Sequence, residues 1–286
     1  MCSVQIGRYS VETIIDGFFG LDGGAMFGIV PSPLWQRTNP PDKRNRIELA
    51  ARCLLIRDRK RCILVETGIG DKFDDKRSDI FKVRQLRGGL PGQLGQRGID
   101  ASEVTDVILT HLHFDHCGGT TRREDGTLLL SFPAADYHVQ RRQWEWAHAP
   151  SGKDQGSFRR EDFALLADAS LHLVDGDSEI FEGIGVHPVD GHTAAMQLVS
   201  IRADDDRGLL FCADLAPTST HLRGPYIMAY DNQPLVTYEE KRAWLPGAAE
   251  RGDVVVFGHD PVCDAATLRA EDDNVVIEER IELGDG

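Results

Sequence analysis

Residues Thr110–Gly119 read T-H-L-H-F-D-H-C-G-G, and within them His111, His113, Asp115 and His116 place four potential metal ligands in six positions. The run before them, Val104–Leu109, is apolar and reads as a strand. The cluster therefore sits on a strand-to-helix loop, at the end of a sheet where sites are usually built. Imidazole and carboxylate ligands suit zinc and similar borderline cations. His111 and His113 can point to one side and serve one ion, while Asp115 and His116 turn to serve a second. A lone histidine is most often a packed or surface residue. Three of them with an aspartate in H-x-H-x-D-H order are not explained that way.

Three more residues extend the set. His192 lies in Asp190-Gly191-His192-Thr193, Asp214 follows the apolar run Leu209–Ala213, and His259 follows Val254–Gly258. Each stands just past a β-like run, where side chains from different strands converge on one rim. A carboxylate at a buried edge, as Asp214 would be, is costly unless paired or metal-bound.

Around these motifs, strands are expected at Ala51–Ile56, Arg61–Glu66, Val104–Thr110, Ala195–Ile201, Gly208–Cys212, Asp253–Gly258 and Asn274–Glu282. Asp58-Arg59-Lys60 and Ala203–Arg207 read as hairpin connections. Helices are expected at Gln140–His148, Arg160–Ala167 and Thr237–Ala249, the last opened by the capping-box spacing of Thr237 and Glu240 and ended or kinked by Pro246. Hairpins followed by alternating strands and helices indicate a mixed α/β protein. Residues 16–46 read as a Gly- and Pro-rich loop that carries Phe18, Phe19, Met26, Phe27 and Trp35. A loop that apolar is expected to pack on the core, to cover a pocket as a flap, or to form a dimer contact. No composition break marks a linker, so residues 1–286 read as one domain.

The chain has 286 residues and a formal charge of −14, a sign that repels phosphate backbones and anionic lipid surfaces. Nucleic acid is therefore a poor substrate candidate, and no apolar run reaches the roughly 18 residues of a membrane span. The segment MCSVQIGRYSVETI lacks a basic stretch followed by an apolar one, and none of the six cysteines form a CxxC pair. A cytoplasmic protein with reduced thiols is the expectation. Cys117 and Cys263 lie near ligands in sequence; with the ligand set complete, they read as small buried residues rather than zinc thiolates.

The H-x-H-x-D-H run, the later G-H-T, the aspartate after an apolar strand and the final G-H together resemble the metallo-β-lactamase superfamily, over nearly the whole chain. That resemblance implies an αββα sandwich of two mixed sheets with helices outside. It implies that His111, His113 and His192 hold one metal, Asp115, His116 and His259 a second, and that Asp214 bridges them. Glu66-Thr67-Gly68-Ile69-Gly70 resembles the family's D-T-G turn, with Glu66 in the place of the usual Asp. Leu21–Gly28, L-D-G-G-A-M-F-G, is similar to the branch holding quorum-quenching N-acyl homoserine lactonases and methyl parathion hydrolase-like enzymes.

The implied activity is that of a dinuclear metal-dependent hydrolase. Metals lower the pKa of bound water from 15.7 to about 7, so two ions sharing a water make a bridging hydroxide at neutral pH. Zinc is the expected metal, though Mn2+, Co2+ or Fe2+ suit the same ligands. Asp115 either passes a proton to the leaving group or acts only as a ligand. No Ser–His–Asp nucleophile is evident. Some lactonases place a Tyr three residues after the bridging Asp; Pro217 stands there in this chain, leaving His221 and Tyr230 as candidates to hold the substrate oxygen. Met26, Phe27, Trp35, Trp144 and Trp146 are candidates to line an acyl pocket.

The leading expectation is hydrolysis of a small-molecule lactone, with N-acyl homoserine lactones first. A phosphotriesterase or arylesterase on the same metal pair is the alternative. Glutathione-thioester hydrolysis is disfavoured, because Arg269 and Arg280 are the only basic residues after His259. A non-catalytic metal-binding protein is disfavoured by the full ligand set. A homodimer through residues 16–46 is a further expectation.

Overall fold

The computed structural model describes residues 2–203, 208–272 and 274–284. The chain opens with β1 (Val4–Ile6), β2 (Tyr9–Asp22), β3 (Arg46–Arg57), β4 (Cys62–Val65), β5 (Arg84–Gln85) and β6 (Asp106–Ile108). A small hairpin follows, β7 (Thr121–Glu124) with β8 (Thr127–Leu130), and then β9 (Asp136–Gln140) and β10 (Leu171–Val174). Apart from that hairpin these strands form one sheet, in the order β1-β2-β3-β4-β6-β9-β10, with β5 on β2. The second sheet runs in chain order through β11 (Ser178–Phe181), β12 (Ile184–Val189), β13 (Met196–Ile201), β14 (Leu209–Phe211), β15 (Val254–Val256), β16 (Ala265–Glu271) and β17 (Asn274–Ile281). Both sheets are mixed: β4/β6, β6/β9 and β9/β10 are parallel in the first, and β14/β15 in the second.

The two-residue period of a strand explains how the sheets pack. Leu54 and Ile56 of β3 face the second sheet, in a core shared with Val186, Leu198 and Phe211. Cys53 and Leu55 point the other way, into a core with Leu90, Leu94 and Phe163. Those last three belong to α4 (Gly89–Gln96) and α7 (Arg160–Phe163); the other helices before the last are α1 (Gly23–Phe27), α2 (Ser32–Trp35), α3 (Asp75–Ile80), α5 (Phe114–Cys117) and α6 (Arg141–His148). The eighth, α8 (Pro234–Arg251), buries Leu245 and Ala248 against the second sheet. All six residues of β13 are buried, as befits a strand covered on both faces. Two face-to-face sheets with helices outside are the architecture expected from the sequence.

Several local expectations are corrected. Residues 16–46 are not a loop. Their first part completes the 14-residue β2, which pairs with β3 down to Asp22 and Arg46, and α1 and α2 follow. Phe19, Met26, Phe27 and Trp35 are at most 1% exposed, in a third core that includes Phe114. Phe27 stacks on Trp35 at 5.3 Å and on His221 at 4.6 Å. The strand is masked in the sequence because its register shifts between Ile15 and Gly17, which breaks the alternation.

Helix α7 stops at Phe163 and continues as a tighter 3-10 turn over Ala164–Asp168. The long helix begins at Pro234, three residues before Thr237, and runs through Pro246 to Arg251. Pro at the first helical position replaces the expected cap, and Gly252, with φ of 65°, closes the helix. Thr237 and Glu240 do not cap it; Thr237 donates to Asp231, and Glu240 accepts from the Asp190 and Gly191 amides. The Ala203–Arg207 connection falls largely on residues outside those described, but the strands it joins pair antiparallel.

Candidate metal centre

All seven expected ligands lie within one cluster, each past the end of a strand. Leu109–His113 leaves β6, and Asp115 and His116 lie in the first turn of α5, whose N-cap is His113. His192 follows β12, Asp214 sits in a 3-10 turn after β14, and His259 follows β15. Three groups bring their ligand atoms within 4.8 Å of one another: His111, His113 and His192; His111, His116 and Asp214; and Asp115, His116 and His259. Asp214 stands between the two sides. Its Oδ2 lies 3.2 Å from His192 Nε2, and its Oδ1 lies 3.2 Å from His259 Nε2 and 3.5 Å from His116 Nε2.

The chemistry of these atoms fits a cation. His259 Nδ1 is 2.8 Å from the Ala50 carbonyl, and His116 Nδ1 is 3.3 Å from Glu66 Oε2, so the proton of each ring belongs on Nδ1. That leaves two Nε2 lone pairs facing each other at 3.0 Å. His111 Nε2 and Asp214 Oδ1 are buried with no hydrogen-bond partner among the described residues. Orphaned lone pairs of this kind are costly unless a Lewis acid accepts them.

Electrostatics points the same way. Burial holds His111 and His113 well below the ordinary imidazole range, and the neighbouring histidines lower them further. Burial also pulls on His116, but the Asp214, Glu66 and Asp115 carboxylates override it and hold the ring well above its usual range. Asp214 is held well below the carboxylate range, against burial, by His116, His259 and His192. The charge these carboxylates draw onto His116 is the charge a cation would bring, and the lowered His111 and His113 keep their lone pairs free for it.

The backbone around the ligands is fixed by close packing. A Cβ on Gly118 would lie 2.2 Å from the Ile69 carbonyl oxygen, and one on Gly119 would lie 2.1 Å from that of Thr67. The C-G-G that ends the motif therefore lets α5 sit directly on the Glu66–Gly70 turn. Buried Asp16 ties that turn down, accepting from the Ile69 and Gly70 amides at 3.0 Å each. Glu66 serves its turn despite replacing Asp: Oε1 accepts from the Thr110 amide at 3.0 Å while Oε2 faces His116.

A family model described as the metallo-beta-lactamase superfamily matches residues 46–259, well over half of the chain and the whole span from β3 to the last ligand. The chain belongs to the metallo-beta-lactamase superfamily. Among its relatives in this superfamily, a Mycobacterium tuberculosis protein described as a probable metallo-hydrolase is 27% identical over 83% of this chain and 85% of its own. The N-acyl homoserine lactonase AttM of Azorhizobium caulinodans is 29% identical over 60% of this chain and 64% of its own. The crystal structure of a probable metal-dependent hydrolase from Staphylococcus aureus superposes with a TM-score of 0.89, at 26% identity and 98% coverage of both chains. That of AidC, a dizinc quorum-quenching lactonase with a bound product, gives 0.79 at 19% identity, covering 98% of this chain and 96% of that one. The chain is thus a metal-dependent hydrolase of the superfamily, with a His/Asp site suited to divalent metal.

Several residues that position the candidate ligands of this superfamily member were not legible. Asp231, 2% exposed, lies 2.8 Å from His192 Nδ1 and accepts from Thr237 Oγ1 at 2.7 Å. Glu240 accepts from the Asp190 and Gly191 amides. The T-x-x-E pair of α8 thus orients the His192 loop instead of capping its own helix. Gln197 Nε2 donates to the Leu109 carbonyl at 2.8 Å, anchoring the His111 loop to β13. Asp231→Asn should lower metal affinity or turnover by about 10- to 100-fold, because the ring of His192 loses its charged anchor. Chelator competition against the parent protein checks this; equal affinities would remove Asp231 from the site.

A cavity of about 330 Å3 opens on the ligands and is lined by Leu21, Met26, Phe81, Phe114, Lys153 and Tyr230. Of the expected pocket residues, Met26 lines it. Phe27 and Trp35 are core beneath it, Trp144 packs on the core outside the first sheet, and Trp146 donates to Asp154 Oδ2 at 2.8 Å. His221 does not line it either. Its Nδ1 is 2.7 Å from Thr218 Oγ1, its Nε2 is 2.9 Å from the Met26 carbonyl, and burial pulls it down to about 4. Tyr230 remains. The residue is 37% exposed, but its hydroxyl is pushed up to about 12 by desolvation and by Asp22 and Asp115, so it stays a proton donor. Cys117 and Cys263 are buried, and burial raises both thiols.

One arrangement runs against the sequence reading. Ser200 Oγ, His187 and Asp177 form a hydrogen-bonded row, 2.8 Å at each step, on a larger cavity of about 710 Å3. It is not built as a nucleophile. Ser200 lies inside the sheet, paired with Gly185 on one side and Leu210 on the other, so its amide stands in a strand ladder and not in the open turn that an oxyanion site uses. Asp177 is 76% exposed, too wet to hold the imidazole as a buried carboxylate does.

Proposed function

We propose that this chain is a dinuclear metal-dependent hydrolase that opens lactone rings, with N-acyl homoserine lactones as the first substrates to test. The observation that carries the proposal is Asp214, whose two oxygens face His192 on one side and His116 and His259 on the other. His111, His113 and His192 would hold one cation, Asp115, His116 and His259 the other, and Asp214 both. Bound divalent cations supply Lewis acidity and hydroxide at neutral pH. Zinc is the leading metal from the ligand types.

The chain's own groups supply the rest. Asp231, Glu66 and the Ala50 carbonyl orient the imidazoles. Asp115, 8% exposed and lining the pocket, is placed to carry a proton to the leaving alkoxide. Tyr230 takes the role of hydrogen-bond donor to the carbonyl oxygen, where Pro217 offers none. Met26, Phe81 and Phe114 exclude water from the apolar end of the pocket. Tyr230→Phe should lower kcat by roughly 10- to 100-fold with little change in KM, since an oxyanion contact matters most in the transition state. An unchanged kcat would remove Tyr230 from catalysis.

The test is metal analysis with hydrolysis of lactones of several chain lengths, with and without chelator. About two ions per chain and chelator-sensitive turnover are expected; no turnover on any lactone overturns the substrate claim. The Phe81 and Phe114 rings also suit aryl groups, so aryl esters and phosphotriesters form the second arm. The six free thiols suit a reducing cytoplasm. Exposed Ile29 and Leu34, beside α1 and in α2, are the apolar side chains a homodimer contact would use.

A further inference from the structure

The metal-site cavity continues outward. Phe81, Phe114 and Gly156 line both it and a second cavity of about 490 Å3, which runs on past Phe73, Phe158 and Arg159. Phe158 packs on ligand His113 at 4.6 Å, so the groove begins at the ligands themselves. Its wall is aromatic: the Phe73, Phe81 and Phe114 centroids lie 5.0 to 5.7 Å apart.

Its far end is cationic. Arg77, Arg159 and Arg160 line it, with Glu161 as the only acidic lining residue among those described. Glu161 is shared, pairing with Arg159 and, at 2.8 Å, with Arg123 outside the groove. Arg77 pairs with Asp74 at 2.8 Å, but both side chains are more than half exposed, and such pairs exchange readily. No carboxylate of the described residues pairs with Arg160. The Arg159 guanidinium lies over the Phe73 ring at 4.2 Å, and its Nη1 has no hydrogen-bond partner there. In a chain of charge −14, this groove carries net positive charge.

We infer that the groove binds an arm of the substrate that is apolar along its length and ends in a carboxylate. The alkyl or aryl stretch lies over the three phenylalanines, and the carboxylate meets Arg159 and Arg160. The inference rests on the hydrolase reading above and narrows it. Lactones or esters with an anionic tail are the better substrates, and plain acyl chains, which leave Arg160 without a carboxylate, the poorer. Arginine suits this task because its planar fork grips a carboxylate with two bonds.

The experiment uses the metal-loaded protein and pairs of ligands equal in chain length, one tail ending in methyl and the other in carboxylate. Non-hydrolysable lactams report Kd by calorimetry, and the matching lactones report kcat/KM. The carboxylate tail should bind at least tenfold more tightly at low ionic strength, about 1.4 kcal/mol. That ratio should collapse toward one in Arg160→Gln, at an exposed position, in Arg159→Gln, and in 0.5 M salt. Equal lactam affinities in the parent protein overturn the inference, whatever the turnover. A tenfold lactam preference without lactone turnover upholds the groove and overturns the lactonase reading instead.

Discussion

Asp214→Asn should reduce turnover by about a thousandfold or more and lower the metal content of the purified protein. Asparagine keeps the shape of the side chain, so the change tests charge and coordination rather than packing. Asp214 is 6% exposed, and its two oxygens face different groups of histidines. An amide offers one neutral oxygen and one N–H, and that N–H would point at an imidazole lone pair that must bind a cation. One side of the cluster then loses its anionic ligand, and the other gains a misdirected donor. Losing one preorganised charge-stabilising group typically costs 10²–10³ in kcat. Loss of a shared ligand adds the cost of weakened metal binding. Elemental analysis, kcat and circular dichroism on the same preparation separate these effects. A variant that keeps its metal and turns over within tenfold of the parent would remove Asp214 as the bridging group.

The cluster of candidate ligands was legible because its chemistry is local to the sequence. His111 to His116 share one loop, and each remaining ligand follows an apolar run whose strand character shows in its own residues. The groups that aim them were not. His192 is held by Asp231, 39 positions away, and His259 by the Ala50 carbonyl, 209 away. Such partners are chosen by strand order and loop path, which no local pattern encodes. The T-x-x-E of α8 shows the same limit from the other side. The motif is real, but tertiary partners use its side chains, and Pro234 starts the helix without it. Strand β2 stayed hidden for a backbone reason, since a register shift erases the alternation that marks a strand. Phe27 and Trp35, in the helices after it, were candidates for the pocket wall but are core, because a buried core and a pocket wall have the same composition.

A second large effect is expected behind the ligand helix, at a pair that holds no metal. Lys72 and Asp162 form an ion pair at 3.1 Å with side chains 1% and 0% exposed. Neither Asp162 oxygen has a hydrogen bond of good geometry among the described residues, so its compensation is the Lys72 ammonium, with Arg159 further off. Lys72 also donates to the carbonyls of Gly118 and Thr121, directly behind the ligand helix. Lys72→Met should therefore destabilise the fold by about 3–5 kcal/mol at neutral pH, the usual cost of stranding one partner of a buried pair. Against a total of roughly 5–15 kcal/mol that is a large fraction. The pH dependence has a definite sign. Burial already raises Asp162 to about 6 in the folded protein, from about 3.9 unfolded. The folded state holds that proton more tightly, so the contribution of Asp162 falls as pH rises between those values. Without Lys72 the folded value climbs further and the loss extends upward, making the variant relatively more stable at pH 5 than at pH 7.5. Adding Asp162→Leu should recover most of the loss, since an apolar pair of similar volume removes the stranded charge, though not the two carbonyls that Lys72 served. Urea denaturation of the parent and both variants at the two pH values decides the matter. A single variant within 1 kcal/mol of the parent at pH 7.5 would show that the pair does not hold the loop behind His116.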